Sequence, residues 1–250
     1  MFIHNINPVF LSFGPIEIRY YGIVYFLGFL LTLLYLKKSK LGKKTFNSKE
    51  YPEDFIFYLI LGSLITARLF YIVFYNFGFY ISNPVEIIKF WHGGMSIHGG
   101  ILGAMIAVYY FSKKHNYKFL ELADILMIPL AISLIFGRIA NFINGELYGR
   151  ITSVPWAVKF PDSDGFRHPS QLYESLKNSL ILIVLYFKSK NFKTGELFAL
   201  FLILYSALRF AVEFVREPEI VIGFLTMGQI LSIPMFVAGI WIYKTVQQKS

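Results

Sequence analysis

Apolar runs roughly 18 to 20 residues long recur along almost the whole chain, separated by short polar stretches. A helix needs about 20 such residues to cross a hydrocarbon core about 30 Å thick. Seven segments qualify, at roughly 18–36, 55–75, 95–112, 120–137, 171–187, 196–214 and 226–243. Backbone groups in lipid must find partners within their own segment, so these are helices rather than open strands. The pattern predicts an all-α integral membrane protein of seven transmembrane helices, a single polytopic membrane domain over 1–250 with no soluble domain between spans. Pro129 and Pro234 fall inside spans four and seven, where proline frees a carbonyl and is expected to kink the helix. No internal repeat is visible, which argues against a transporter built from inverted halves.

Charge then orients the bundle. Hydrophobic residues make up 56% of the chain and charged ones 16%, outside the usual soluble range. The net charge of +9 would suit nucleic acid, but the lysines cluster between spans instead of lining one face, so no nucleic-acid partner is expected. Loop 1–2 carries Lys37, Lys38, Lys40, Lys43, Lys44 and Lys49; loop 3–4 carries Lys113, Lys114 and Lys118; loop 5–6 carries Lys188, Lys190 and Lys193; the tail carries Lys244 and Lys249. All lie on one side, and the positive-inside rule makes it cytoplasmic, placing the N-terminus outside and the C-terminus inside. Tyr20, Tyr21, Tyr75, Tyr80, Trp91 and Trp156 then fall near the outer boundary, as an aromatic belt. With no cysteine, the chain has neither a disulfide nor a thiolate of its own. The N-terminus lacks a basic segment, apolar core and small-residue cleavage site, so the first span is expected to stay in the mature protein.

One loop is long. The region 138–170 holds Gly149, Pro155, Pro161, Gly165 and Pro169 with mixed charge, which suits a small extracytoplasmic cap. Ser170 is expected to cap span five.

Ionisable groups within spans are costly and mark candidate sites. Arg209, Glu213 and Arg216 are spaced i, i+4 and i+7 and share one helical face. Taken alone, that face reads equally well as an internal salt bridge or as a positive ligand site. Arg138 and Asn141 are three apart, ahead of Glu146, Gly149 and Arg150. The planar guanidinium fork matches phosphate bidentately, so Arg138 and Arg209 together suit a phosphodiester. The run His92-Gly93-Gly94-Met95-Ser96-Ile97-His98-Gly99-Gly100 enters span three, and His98 is a candidate proton acceptor or a hydrogen-bonding strut. The two histidines match no metal-ligand spacing, so no metal or other cofactor is expected. Arg68 and Asp124 are expected to pair with each other, and Tyr21 reads by position as a belt residue.

The string from Gly137 to Gly149 resembles the signature of bacterial prolipoprotein diacylglyceryl transferases. The segments His92–Gly100, Arg167–Glu174, Arg209–Glu213 and Met227–Pro234 resemble the same family in the same order, so the likeness covers nearly the whole chain. His92 stands where some members carry an acidic residue, and the loop from Arg150 to Arg167 is shorter than in some. The resemblance implies a seven-helix enzyme of the bacterial inner membrane whose outward-facing site takes phosphatidylglycerol from surrounding membrane lipid. The acceptor is the lipobox cysteine thiol of a prolipoprotein peptide. It also implies functional roles for Tyr21, His98, Arg138, Asn141, Glu146, Gly149, Arg209 and Glu213; the chemistry of thiol attack then points to His98 as base, with Glu146 and Glu213 expected to hold the arginines. A transporter or channel, and a noncatalytic lipid-binding scaffold, are the rival classes; a transport path would carry charge on to the cytoplasmic side, whereas these clusters gather near the outer ends.

Overall fold

The computed structural model describes residues 1–13, 16–46, 48, 50–90, 93–218 and 220–248. Trp91 of the belt, His92 of the glycine-rich run, Lys49 and Lys249 lie outside them. In chain order the elements are β1 (Phe2–Ile3), β2 (Val9–Phe13), β3 (Ile16–Arg19), α1 (Tyr20–Lys38), α2 (Lys40–Thr45), α3 (Tyr51–Tyr75), α4 (Phe77–Ser82), a 3-10 turn (Pro84–Ile88), α5 (Ile97–Lys114) and α6 (Phe119–Asn144). After these come β4 (Val158–Lys159), α7 (Ser170–Lys188), α8 (Glu196–Val212), β5 (Val221–Ile222), β6 (Leu225–Thr226) and α9 (Met227–Gln248).

Each of the seven apolar segments falls on a helix. Among the described residues four helices are long and apolar enough to cross a membrane: α1, α3, α6 and α9. The chain is a mostly helical, multi-pass membrane protein. Helix α7 dilutes its apolar run with Glu174, Lys177 and Asn178, and α8 has 17 residues. Pro129 and Pro234 lie inside α6 and α9. Local chemistry sets several helix ends. Pro52 sits in the first turn of α3 with Glu53 and Asp54, where a missing N–H and negative charge both suit the helix start. Thr226 and Gln229 open α9 as a reciprocal capping box: the Gln229 N–H donates to Thr226 Oγ1 at 3.2 Å, and the Thr226 N–H to Gln229 Oε1 at 3.0 Å. Ser170 is not the cap expected of it. Pro169 precedes the first turn of α7, and the Ser170 hydroxyl donates instead to the Leu147 carbonyl at 2.9 Å, tying the helix to the loop before it.

The chain forms two compact units. The unit Leu33–Ala123 is built on α3 and α5, which approach through small residues. A Cβ placed on Gly103 would lie 2.2 Å from the Gly62 carbonyl oxygen, so the two backbones touch as closely as glycine permits. Arg68 of α3 is buried within this unit. Its guanidinium donates to the carbonyls of Ile87 at 3.0 Å, Glu86 at 2.5 Å, Lys89 and Gly94 at 3.1 Å, and Gly93. Tyr80 is buried too, 5.0 Å from that guanidinium, so it supports Arg68 rather than a belt.

The other unit joins Met1–Thr32 to Asp124–Ser250. Asp124 spends its carboxylate at the start of α8, accepting from the N–H groups of Gly195 at 2.5 Å and Phe198 at 2.8 Å. The expected Arg68–Asp124 pair is thus replaced by two separate solutions, because backbone carbonyls and a helix N-terminus satisfy these charges as well as an opposite charge does. The 138–170 region has a small core of its own, with Ala157, Val158 and Phe160 buried. Strand β1 pairs in parallel with β4, setting His4 between Phe142 and Phe160, where its Nε2 lies 2.8 Å from the Phe142 carbonyl.

Candidate active site

Helix α6 continues past residue 137 to Asn144, so Arg138 and Asn141 lie on one helical face, as their spacing requires. Arg138 Nη1 donates to Asn141 Oδ1 at 3.4 Å, and Asn141 Nδ2 donates to Glu146 Oε1 at 2.7 Å. The partner carboxylate of Arg138 is not Glu146 but Glu174 on α7, with Nε 3.0 Å from Oε2. Glu146 is exposed and binds amides, those of Asn141 and Asn144.

Glu174 is the hub. It is fully buried, and its carboxylate also meets Arg209, Arg216 at 2.7 Å and Lys177 at 3.5 Å. Arg209 and Arg216 share a second carboxylate, Glu213. Glu213 is fixed from the other side by Thr226, whose hydroxyl donates to its Oε2 at 2.7 Å. Gly228 lies directly against it: a Cβ there would be 2.5 Å from Glu213 Cδ. The first turn of α9 therefore sits on this carboxylate, where the positive end of the helix dipole favours the negative charge.

Backbone contacts lock the end of α8 to the long loop. The Gly149 N–H donates to the His168 carbonyl at 2.8 Å and the Arg150 N–H to the Val215 carbonyl at 2.9 Å. A side chain at Gly149 would strike the Val215 oxygen, 2.3 Å from its Cβ, so only glycine allows the approach. His168 hydrogen bonds through Nδ1 to the Tyr173 hydroxyl at 3.1 Å, and burial lowers its imidazole pKa from the ordinary value. A cavity of about 690 Å³ opens here, lined by Arg150, Arg167, Phe214, Val221, Thr226 and Gln229 among others.

The electrostatics follow from the count. Four cations, Arg138, Lys177, Arg209 and Arg216, share two carboxylates, Glu174 and Glu213, leaving two positive charges in excess. The side chains of Arg138 and Arg209 remain 18% and 16% exposed while Glu174 is closed off, so the cluster meets its surroundings through these cations and not through that carboxylate. Such an array can hold a phosphate and stabilise charge that grows on it.

The sequence model of the prolipoprotein diacylglyceryl transferase family matches residues 8–245. The chain belongs to that family. Among its relatives is a phosphatidylglycerol–prolipoprotein diacylglyceryl transferase of Rickettsia bellii (strain OSU 85-389), 47% identical over 248 residues that cover 95% of this chain and 94% of the relative. Proteins of the same name from Rickettsia felis (strain ATCC VR-1525 / URRWXCal2) and Nitratidesulfovibrio vulgaris (strain DP4) are 47% and 40% identical, over 94% and 96% of this chain and 95% and 94% of their own lengths.

Within this diacylglyceryl transferase chain, the structure brings together Arg138, Asn141, Glu146, Gly149, Arg209 and Glu213 of the candidate residues, linked through Glu174 and the cap backbone. Tyr21 is the second residue of α1, half-buried. His98 is the second residue of α5, exposed, and belongs to the Leu33–Ala123 unit. Glu174 and Lys177 were not among the residues singled out from sequence, although the same signal was present: both are ionisable groups inside the predicted span 171–187.

Proposed function

We propose that this chain transfers the diacylglyceryl group of phosphatidylglycerol to the lipobox cysteine of prolipoproteins, forming a thioether and releasing glycerol 1-phosphate. The observation that carries the reading is the net-positive arginine cluster on Glu174, with the Arg138 and Arg209 side chains partly exposed, in a multi-pass membrane protein. The thiol sulfur attacks the glycerol carbon that bears the phosphate, the carbon–oxygen bond breaks, and its electron pair leaves on the phosphate. A thiol of pKa about 8.5 must first lose its proton. His98 is the proposed acceptor of that proton, on the chemistry of its imidazole. Arg138 and Arg209 are the proposed phosphate ligands, and their attraction grows as the leaving oxygen gains charge. Glu213 orients Arg209, Asn141 and Glu146 steady Arg138, and Gly149 admits the cap backbone. Tyr21 is kept as a further candidate for substrate contact.

The proposed setting is the bacterial inner membrane, with seven spans, an outer N-terminus, a cytoplasmic C-terminus and the 138–170 cap and active site facing outward. The lysine-rich links support this orientation. The deciding experiment incubates purified protein with phosphatidylglycerol and a lipobox peptide. The peptide is expected to gain the mass of one diacylglyceryl group, and its Cys→Ser form to gain none; an unmodified cysteine peptide refutes the activity. Because the chain has no cysteine, single cysteines introduced into each loop and labelled with a membrane-impermeant reagent test the topology directly.

A further inference from the structure

Lys177 is a charged group of the cluster to which the proposed mechanism gives no role. Its side chain is 2% exposed, so it cannot touch a substrate. Its ammonium has two contacts among the described residues: Glu174 Oε2 at 3.5 Å, and the face of Tyr205 on α8, 4.0 Å from the ring centroid. Neutralising Glu174 does not require it, since Arg138, Arg209 and Arg216 already surround that carboxylate. A buried ammonium is costly to desolvate, and an apolar residue of similar volume would pack there at least as well. Excess charge at such a position acts on whatever anion the neighbouring guanidiniums hold.

We propose that Lys177 is a positioning residue that sets the charge of the phosphate site. By occupying part of the Glu174 carboxylate it leaves Arg138 and Arg209 under-neutralised, and its own charge adds to the field at their guanidiniums. That field discriminates between two ligands. A phosphodiester carries one negative charge, whereas the phosphate monoester released from it carries up to two above its second pKa of about 6. Coulomb energy is proportional to ligand charge, so each added positive charge favours the dianion about twice as strongly as the monoanion. Lys177 therefore assists bond breaking as well as donor binding, and this assignment rests on the diacylglyceryl transfer proposed above.

The test compares Lys177→Met, which keeps length but not charge, with Lys177→Arg, which keeps charge. Calorimetry at pH 8 measures glycerol 1-phosphate and monoanionic glycerophosphoglycerol on the purified protein, independently of turnover. With Lys177→Met, affinity for glycerol 1-phosphate is expected to fall about tenfold and for glycerophosphoglycerol about threefold. In the peptide assay kcat should drop about threefold and KM for phosphatidylglycerol rise about threefold, so that kcat/KM falls about tenfold, and Lys177→Arg should restore both readouts. Equal weakening of the two ligands, a rise in KM with unchanged kcat, or failure of both Lys177→Met and Lys177→Gln to fold overturns the assignment. If the unsubstituted protein binds both phosphates with the expected discrimination yet modifies no peptide, it is the transfer reading that fails.

Discussion

Arg68 and Arg138 both lie within long apolar helices, and the same cost of burying a guanidinium is met in opposite ways. Arg68 turns its N–H groups onto five carbonyls of the segment Glu86–Gly94, with Tyr80 and Phe90 stacked near it. It is 1% exposed, and its donors are saturated by backbone. Arg138 shares one carboxylate with Arg209, Arg216 and Lys177, and its side chain stays partly exposed. Acceptors match the five donors of Arg68 and are scarce around Arg138. A saturated arginine fastens a fold; an under-neutralised one is ready for an anion. The separation of structural from functional arginines thus lies in hydrogen-bond supply, not in residue type or depth.

The sharpest way to break this contrast is to remove each arginine. Arg138→Ala or Arg209→Ala is expected to lower peptide modification about 100- to 1000-fold with the protein still folded in membranes. Arg68→Ala should instead reduce the amount of folded protein, removing the guanidinium donor from five carbonyls, and activity per folded molecule should stay within about threefold. Activity and thermal unfolding in detergent, measured together, separate the two; equal loss of specific activity in Arg68→Ala would erase the distinction.

Glu174→Gln attacks the shared carboxylate itself. Removing one partner of a buried ionic cluster costs about 3–5 kcal/mol, so a large fall in the unfolding midpoint is expected, whereas Glu146→Gln, at an exposed carboxylate, should cost less than about 1 kcal/mol. Similar midpoints for both would contradict the assignment of Glu174 as the hub. Gly228→Ala is subtler. The added methyl presses on Glu213, costing about 1–3 kcal/mol and displacing Arg209, and activity should fall about tenfold without loss of membrane insertion.

The smallest effect concerns pH. Burial lowers the His168 pKa, so protonation favours the unfolded cap. Its contribution is present above the ordinary imidazole value near 6.5 and is lost as pH falls through it towards the lower folded value. Exchange of the Gly149 amide, which bonds to the His168 carbonyl, should quicken modestly between pH 7.5 and 5.5 beyond the intrinsic trend, and His168→Gln should flatten that response.

Much of this was legible in the chain. The apolar runs located seven helices, and Arg209, Glu213 and Arg216, grouped by their spacing, do meet, although α8 ends at Val212 and Arg216 pairs with Gly149 beyond it. Ser170 does not cap its helix, Glu146 is not the carboxylate that holds Arg138, and other readings also failed. Arg68 and Asp124 each found backbone partners, which no one-dimensional pattern announces. Tyr80 reads as an interfacial tyrosine by position, and only the fold places Arg68 over it. Glu174 stood inside a quoted motif, yet nothing local to it reveals that Arg138, Arg209 and Arg216, from elsewhere in the chain, converge on its carboxylate.

Periodicity and composition act along one segment at a time, so sequence by itself determined helical class, membrane habitat and which residues share a helical face. Charge balance depends on which segments meet. Tertiary structure alone decided that four cations share two carboxylates here, that Arg68 is satisfied by carbonyls, and that Gly149 and Gly228 are needed where two backbones, or a backbone and a carboxylate, come into contact.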